Sequence, residues 1–326
     1  MVSEIPQDAI RIMPEPLRQW TTAVLVRLGL PQADAQHVAA CLVQVDLRGV
    51  FSHGTQRLQS YVDQYSAGEL NTHPEIKIVR DEPSVIVLDG DGGLGYLVAA
   101  RATERLIAKV EETGLALAAT RHHGHVGSLG IYARMALEKD LVTFGVAGGR
   151  QWQPPDRPGS TVWDAMSSPP MCFAVPAADG PPFVLDMSAN FFRNQDTLEE
   201  GMVKFPEAVI KSLGLKFVST LLGGALAGSM SPENESKYAA AKRGFFMLAL
   251  RPDMVGDVDY FKAEVQRISA ASRALPPMAG QQSAEVAGSL EWQREGEWPH
   301  SGIPLGEKHR EQLAQIARQM EIETTW

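Results

Sequence analysis

The apolar residues of the chain recur with two different periods, which separate helical from strand-like stretches. Spacings of three and four residues over PEPLRQWTTAVLVRLGL (14–30) and ADAQHVAACLVQVDLRGV (33–50) predict two helices, with a break at Pro31. A third helix, which stops at Gly68, is predicted in GTQRLQSYVDQYSAGELN (54–71). Shorter alternating runs in HPEIKIVRDEPSVIVLDGDGG (73–93) predict two strands, so the pattern changes there from helical to mixed.

Helices and strands alternate through the middle of the chain. GYLVAARATERLIAKVEETG, LALAAT, GSLGIYARMALEKD and LVTFGVAGG follow one another as helix, strand, helix and strand. This alternation favours an α/β fold with helices packed on a sheet. The rest of the pattern predicts strands in PMCFAVP, PFVLDMS and GFFMLALRP, a long buried core helix in VIKSLGLKFVSTLLGGALAGS, and amphipathic helices in VDYFKAEVQRISAAS and EKHREQLAQIARQMEI.

Composition and charge exclude some classes of partner. The net charge of −9 and the scattered lysines and arginines leave no basic face for a nucleic-acid backbone. No apolar run reaches the ~18 residues that span a bilayer, and MVSEIPQDAIR lacks the order of a signal peptide, so we expect a cytoplasmic protein with no membrane partner. Cys41 and Cys172 lie in apolar segments, which predicts two buried free thiols.

The stretch Gly90-Asp91-Gly92-Gly93-Leu94-Gly95 fits the spacing G-x-G-x-x-G between a predicted strand and a predicted helix. In one interpretation these glycines bring a helix N-terminus to a pyrophosphate, with Glu111 or Glu112 reaching a ribose. In the other, the stretch is a tight strand-to-helix turn that needs positive φ values. The second is favoured, because the acidic residue lies inside the crossover helix instead of at the end of a second strand.

Chemistry-bearing side chains concentrate in DLRGVFSHGTQRLQSY, where Ser52, His53, Arg57 and Tyr61 would share one face of a helix that begins near Ser52. Together they suit a small carboxylate: Arg57 would bind it bidentately, Ser52 and Tyr61 would hydrogen-bond it, and His53 would move a proton. The alternative is a surface helix capped by Ser52.

Three imidazoles fall within four positions in RHHGHVG, Arg121–Gly127. A metal site would need further ligands from elsewhere, and no H-E-x-x-H motif accompanies them, so no metal is expected. The remaining interpretations are structural roles for all three and acid–base use of one. We take His125 as the acid–base candidate, because Gly124 and Gly127 leave room for a ligand beside it.

Two further candidates are single residues. Asp186 ends a predicted strand and would orient a histidine or contact a ribose, unless it is a turn or cap residue. Lys211 would reach a phosphate or carboxylate, unless it is solvated on its helix.

Taken in order, these pieces resemble the malate/L-lactate dehydrogenase family, which is distinct from ordinary lactate dehydrogenases and includes ureidoglycolate, sulfolactate and diketogulonate dehydrogenases and a cyclic-imine carboxylate reductase. The similarity runs from about residue 20 to 265, and its most specific part is S-H-G-x-x-R-x-x-x-Y. The matching stretches are DLRGVFSHGTQRLQSYVDQYSAGELN, VLDGDGGLGY, GLALAAT with GHVGSLGIYARMAL, PPMCFAVP, VLDMS, KSLGLKFVSTLLGGALAGS and GFFMLALRPDMVGDVDYF.

The resemblance implies hydride transfer between NAD or NADP and a 2-hydroxy or 2-oxo acid, or its imine analogue, on a non-Rossmann α/β fold. It implies a helical, substrate-binding and dimerising domain from residues 1–74 and 251–326, a cofactor-binding sheet domain from 75–250, and a homodimer. Gly90–Gly95 becomes a fold turn. The implied residues are His125 and His53 as catalytic groups, Ser52, Arg57 and Tyr61 for substrate, and Ser168, Asp186 and Lys211 for cofactor.

The chain also departs from the family. Ser167-Ser168-Pro169-Pro170 replaces a Gly-Thr-Asn-Pro turn, Asp186-Met187-Ser188-Ala189-Asn190 replaces Asp-Met-Ala-Thr-Ser, and Lys211-Ser212-Leu213-Gly214-Leu215 replaces Lys-Gly-Tyr-Gly-Leu. The segment between Asp186 and Lys211 is shorter than in the family. These changes leave an alternative function open: a lyase or isomerase that moves protons on a small carboxylate without a nicotinamide.

Overall fold

A computed structural model describes residues 4–149, 154–166, 168–231, 235–281, 283–324 and 326. Its α-helices are α1 (Pro14–Arg27), α2 (Gln32–Leu47), α3 (Leu58–Ser66), α4 (Gly95–Thr113), α5 (Gly130–Leu137), α6 (Val162–Ala165), α7 (Gln195–Lys204), α8 (Pro206–Thr220), α9 (Val258–Arg273), α10 (Ser289–Ser301) and α11 (Glu307–Met320). Its strands are β1 (Ile10–Ile12), β2 (Lys77–Glu82), β3 (Val85–Asp89), β4 (Leu115–His123), β5 (Val142–Gly148), β6 (Pro170–Val175), β7 (Phe183–Ser188), β8 (Arg243–Leu250) and β9 (Ile303–Leu305).

A seven-stranded sheet in the order β2-β3-β4-β8-β5-β6-β7 forms the centre of the molecule. Within the described part of the chain, β3 and β4 pair in parallel, and the other neighbours pair antiparallel. Helix α4 makes the crossover between β3 and β4. A doubly wound parallel sheet is therefore absent from the described residues, which confirms the expected non-Rossmann α/β fold.

Strand β8 lies between β4 and β5, although it follows both by more than ninety residues. Thr120 is opposite Phe245 on one side of it, and Val146 is opposite Phe246 on the other. The pairing with β4 becomes irregular between Thr120 and His123, where His122 takes a positive φ of 54°. This irregularity marks the start of the turn Arg121–Gly127, hereafter the histidine turn.

Helices from both ends of the chain pack together beside the sheet. Strands β1 and β9 pair with Ile10 opposite Leu305, which joins the N-terminal segment to the segment before α11. Leu17 and Leu25 of α1 and Leu313 of α11 are fully buried in the same core. The loop between α2 and α3 is thus held between N-terminal and C-terminal elements.

The predicted long helix exists as α8 and a continuing π-helical turn, Leu221–Leu226. It is less buried than predicted, since 39% of its apolar window is buried and Ile210, Leu221 and Leu226 are exposed. In the described residues this is one helix with the length and composition of a membrane span, contrary to the expectation that no apolar run is long enough, and such a helix is weak evidence for a membrane.

Both cysteines are buried and unpaired, as predicted.

Candidate active site

One cavity of about 730 Å³ follows the end of β4. Its wall combines the loop between α2 and α3, the turn after β4, the end of β5, residues just before β6, the end of β7 and the start of β8. Of the eight site residues proposed from the sequence, six line it: Ser52, His53, Arg57, His125, Ser168 and Asp186. Residues far apart in the sequence therefore meet here, and Tyr61 and Lys211 are the two outside the wall.

The glycine-rich turn between β3 and α4 supports the histidine turn. The backbone N–H groups of Gly90 and Gly92 donate to the carbonyl oxygens of Arg121 and His122, each at 2.9 Å, and the Gly124 N–H donates to the Gly93 oxygen at 2.9 Å. A Cβ on Gly95 would lie 2.6 Å from the Gly124 oxygen. The amides that a pyrophosphate would need are used within the chain, so the structure favours the fold-turn interpretation.

Two of the three imidazoles hold this turn in place. His122 donates from Nδ1 to Asp89 Oδ2 at 2.8 Å. Burial raises the pKa of Asp89, but the hydrogen bonds from His122 and from backbone outweigh it and lower that pKa to about 2. His123 is fully buried, where Nδ1 donates to the Gly124 oxygen and Nε2 accepts from Thr120 Oγ1 at 2.7 Å. Burial lowers the pKa of His123 to about 4.

His125 faces the cavity with a hydroxyl behind it. Its Nδ1 lies 2.8 Å from the Tyr61 hydroxyl, and the Gly127 N–H donates to the same nitrogen at 3.3 Å. Burial, followed by the positive charges of Arg243 and Arg57, holds the pKa of His125 well below its usual value. Since Nδ1 is engaged by the protein, Nε2 is the nitrogen left for a molecule in the cavity.

Tyr61 does not line the cavity as the substrate-side role requires. It is buried, and its hydroxyl lies 3.3 Å from the Tyr96 hydroxyl, which in turn donates to the carbonyl oxygen of His53 at 3.4 Å. Burial raises the pKa of Tyr61 to about 12, so the phenol stays protonated at neutral pH. The structure therefore places Tyr61 behind His125 and links it, through Tyr96, to the backbone of His53.

The prediction that one continuous helix begins near Ser52 is wrong. Two 3-10 turns, Phe51–His53 and Thr55–Arg57, precede α3. Gly54 separates them with a non-helical backbone, φ −90° and ψ −144°, and this change of direction turns Ser52, His53 and Arg57 into the cavity. The Ser52 hydroxyl lies 3.1 Å from His53 Nδ1, and the His53 ring centroid is 5.9 Å from that of His125.

Asp186 is the acidic residue that β7 contributes to the cavity wall. Its Oδ2 accepts from the Ser128 hydroxyl at 2.5 Å and from the Gly130 N–H at 2.7 Å, so it also caps the start of α5. Its charge raises the pKa of His53, although burial has the larger, opposite effect and the net pKa of His53 is lowered. Ser168 is fixed by Asn190, whose Nδ2 donates to its hydroxyl at 2.8 Å.

Lys211 lies on α8, outside the cavity wall. Its side chain is 77% exposed on α8 and its nearest charged partner is Glu207, one turn away. The solvated-helix interpretation fits this position, because the helix turns the residue away from the sheet.

The sequence alone did not single out most of the positive charge in the cavity. The wall holds six cationic side chains, of Arg48, Arg57, Arg134, Arg193, Lys242 and Arg243, and two acidic ones, of Asp186 and Glu291. These cations come from five separate segments, so no basic run signals them. A protein with a net charge of −9 thus concentrates positive charge where an anion would bind.

The cavity fits a nicotinamide dinucleotide in size and charge. Its volume lies within the range of roughly 300–1,000 Å³ that is typical of ligand sites. The cationic side chains would offset the charge of a pyrophosphate. Ser168 and Asp186 supply a hydroxyl and a carboxylate suited to the cofactor's amide and hydroxyl groups.

Comparisons of the sequence and of the fold with known proteins find the same family. The family model for malate/L-lactate dehydrogenase matches residues 12–195 and 194–314. The malate dehydrogenase of Pyrococcus abyssi is 38% identical over 186 residues, which cover 57% of this chain and 50% of that protein, so this alignment spans about half of its length. The malate/(S)-sulfolactate dehydrogenase of Methanothermus fervidus is 24% identical over 97% of this chain and 99% of that protein.

The solved structure of malate dehydrogenase from Pyrococcus horikoshii superposes with a TM-score of 0.82 at 27% identity and covers 99% of both chains. The two blocks of the family match meet at residues 194–195, inside the segment between Asp186 and Lys211 that is predicted from the sequence to be shorter than in the family. Matches on both sides of this junction account for most of the sequence, and the chain belongs to the malate/L-lactate dehydrogenase family.

Proposed function

We propose that this protein is an NAD- or NADP-dependent oxidoreductase that acts on a small 2-oxo or 2-hydroxy acid or its imine analogue. The observation that carries the proposal is that His125, backed by Tyr61, and the guanidinium of Arg57 lie on one cavity that is large and positive enough for a dinucleotide. The family consists of dehydrogenases for small hydroxy acids, which agrees with this chemistry. The redox-free alternative has no support in the comparisons.

Arg57 and Ser52 would hold the substrate. A guanidinium presents two parallel N–H groups to a carboxylate, so Arg57 would fix the acid end of the substrate. The hydroxyl of Ser52 would then hydrogen-bond the same carboxylate or the neighbouring oxygen. Such binding would place the carbon next to the carboxylate near His53 and His125, which line the same cavity.

His125 would exchange the proton at the substrate oxygen or nitrogen. The chain of contacts from Nδ1 through Tyr61 and Tyr96 ends on the His53 carbonyl, which can only accept. In one tautomer of His125, Nδ1 accepts from the Gly127 N–H. In the other, which the proposal requires, Nδ1–H donates to Tyr61, Tyr61 donates to Tyr96, and Tyr96 donates to the carbonyl. Nε2 is then free to take a proton from a hydroxy acid, and as imidazolium to return one in reduction.

When bound, the nicotinamide would supply or accept the hydride at the carbon next to the carboxylate. Ser168 and Asp186 would contact the cofactor, with Asp186 kept in position by Ser128 and the first turn of α5.

Titration of the purified protein with NADH and NADPH, followed by nicotinamide fluorescence and calorimetry, tests the proposal. We expect saturable binding of one or both with micromolar Kd. A folded protein that binds neither would contradict it, and would show that the altered segment after Asp186 no longer supports a cofactor.

Replacing Tyr61 by Phe should lower kcat for hydroxy-acid oxidation on the order of 10- to 100-fold, because the orientation and Nδ1–H of His125 lose their acceptor. The KM for the acid should change little, since Tyr61 does not line the cavity. The acid limb of the pH profile should also move to lower pH, because imidazolium loses a stabilising partner.

Tyr65→Phe is the matched control for this variant. Tyr65 lies one turn further along α3, it is also buried, and its hydroxyl has no hydrogen-bond partner among the described residues. Equal pH profiles and equal kcat in the two variants would remove Tyr61 from a role at His125.

We also propose, by analogy with the family, the domain division at residues 74/75 and 250/251 and a homodimer. The exposed apolar side chains of Phe205, Ile210, Leu221 and Leu226 on and beside α8 are available to a second copy. Sedimentation at several concentrations measures this directly.

A further inference from the structure

A buried chain of hydrogen bonds lies behind the loop between α2 and α3, which carries Ser52, His53 and Arg57. It joins Asp46 near the end of α2, Thr55 in the second 3-10 turn and His309 in the first turn of α11. Asp46 and Thr55 are fully buried and His309 is 2% exposed. None of the three lines the cavity. A buried ionisable pair that takes no part in binding calls for a structural reason.

The contacts of Thr55 fix the direction of the chain. Its backbone N–H donates to Asp46 Oδ2 at 3.0 Å, and its hydroxyl donates to the same oxygen at 2.6 Å. Thr55 has one hydroxyl proton, so its oxygen accepts from His309 Nε2–H at 2.9 Å. Burial lowers the pKa of His309 to about 4, which keeps this imidazole neutral and its Nε2–H available.

Gly54 brings the loop onto the carboxylate. A Cβ at this position would overlap Asp46 Oδ1, so the residue between His53 and Thr55 must lack a side chain for the loop to approach Asp46. Oδ1 itself is buried without a hydrogen-bond partner in the described structure, which means that Oδ2 alone holds the loop. Loss of Thr55's hydrogen bonds would leave a buried carboxylate with nothing to replace them.

The anchored residue lies among the cavity groups. Ser52 and His53 precede Gly54, and Arg57 follows Thr55 by two positions. The two 3-10 turns have few backbone hydrogen bonds of their own: the N–H groups of His53, Gly54 and Arg57 donate to the carbonyl oxygens of Val50, Phe51 and Gly54. A short loop of this kind takes its position from what it is tied to.

We propose that Asp46, Thr55 and His309 form a positioning group that sets the place of Arg57 and His53 in the cavity and ties it to the C-terminal helix α11. This inference rests on the proposed function for its effect on turnover. Whether the group holds the loop can be measured by hydrogen exchange of the loop amides, without any enzyme turnover.

Thr55→Val tests the group because it keeps the shape of the side chain and removes the hydroxyl. We expect faster hydrogen exchange of the amides from Phe51 to Arg57, and a KM for oxaloacetate that rises on the order of 10- to 100-fold with a smaller change in kcat. Thr55→Ser restores the hydroxyl and should restore both. Thr103→Val is the matched control, since Thr103 is fully buried and bonds the Ala99 carbonyl within its own helix α4.

His309→Leu gives an independent reading if Thr55→Val does not fold. It removes the donor at the far end and leaves Asp46 and Thr55 in place, so exchange over the same amides should rise by less. Wild-type exchange from Phe51 to Arg57 in the folded variants overturns the proposal. So does faster exchange there with an unchanged KM in an active enzyme. If the wild type turns over no oxaloacetate with NADH or NADPH, the proposed function fails for that acid, while the exchange result still decides whether the group holds the loop.

Discussion

Replacing His125 by Asn should lower kcat in both directions on the order of 10²-fold or more, because the substrate oxygen loses the group that gives and takes its proton. Asn is polar and similar in size, so the histidine turn should keep its backbone contacts with the Gly90–Gly95 turn. KM should change less than kcat, since Arg57 still holds the carboxylate. Steady-state rates with oxo acid and reduced cofactor, and with hydroxy acid and oxidised cofactor, measure the effect.

His73→Asn is the matched control for that variant. His73 is exposed and lies outside the cavity wall, so its replacement should leave kcat unchanged. If turnover of His125→Asn equals that of the control, His125 has no acid–base role, and His53 becomes the remaining histidine on the cavity.

Replacing Arg57 by Met should raise the KM for the acid on the order of 10²-fold, because each hydrogen bond between a guanidinium and a carboxylate contributes roughly 1.5–3 kcal/mol. Met keeps the length and apolar stem of the side chain. The Kd for the reduced cofactor, measured without substrate, should change little if Arg57 belongs to the substrate side.

Arg57→Lys separates charge from geometry. Lysine keeps the positive charge without the planar pair of donors, so its KM should lie between those of the wild type and Arg57→Met. Arg101→Met, at an exposed position on α4, controls for loss of one positive charge. An Arg57→Met enzyme with wild-type KM would show that the carboxylate is held elsewhere, with Arg193 and Arg243 as the next candidates on the wall.

Sequence reasoning succeeded where local pattern decides structure. The apolar periods of α1, α2 and α4 mark helices because each buries one face. The glycine turn and the density of His53, Arg57 and His125 were also visible in the sequence, because glycines and polar groups stand out in an apolar context, and the three side chains line one cavity.

Sequence reasoning failed where packing between distant segments decides strand order or the position of a side chain. Strand β8 separates β4 from β5, and a pattern read along the chain shows neither the strand order nor the direction of pairing. Tyr61 was expected to face substrate because helix spacing was assumed from Ser52, but the break at Gly54 rotates α3 relative to the preceding turns. Arg134 and Arg193 come to the cavity by packing alone, and Lys211 points away for the same reason.

The central claim is that hydride passes between a nicotinamide and the carbon next to a carboxylate, and isotope transfer tests it most directly. The wild-type protein would be incubated with NADH or NADPH that carries deuterium at both positions of nicotinamide C4, together with 2-oxo acids such as pyruvate and oxaloacetate. The products would be examined by mass spectrometry and NMR. We expect one deuterium at C2 of the 2-hydroxy acid. Conversion of the acid with no deuterium in the product would contradict hydride transfer and point to proton chemistry instead.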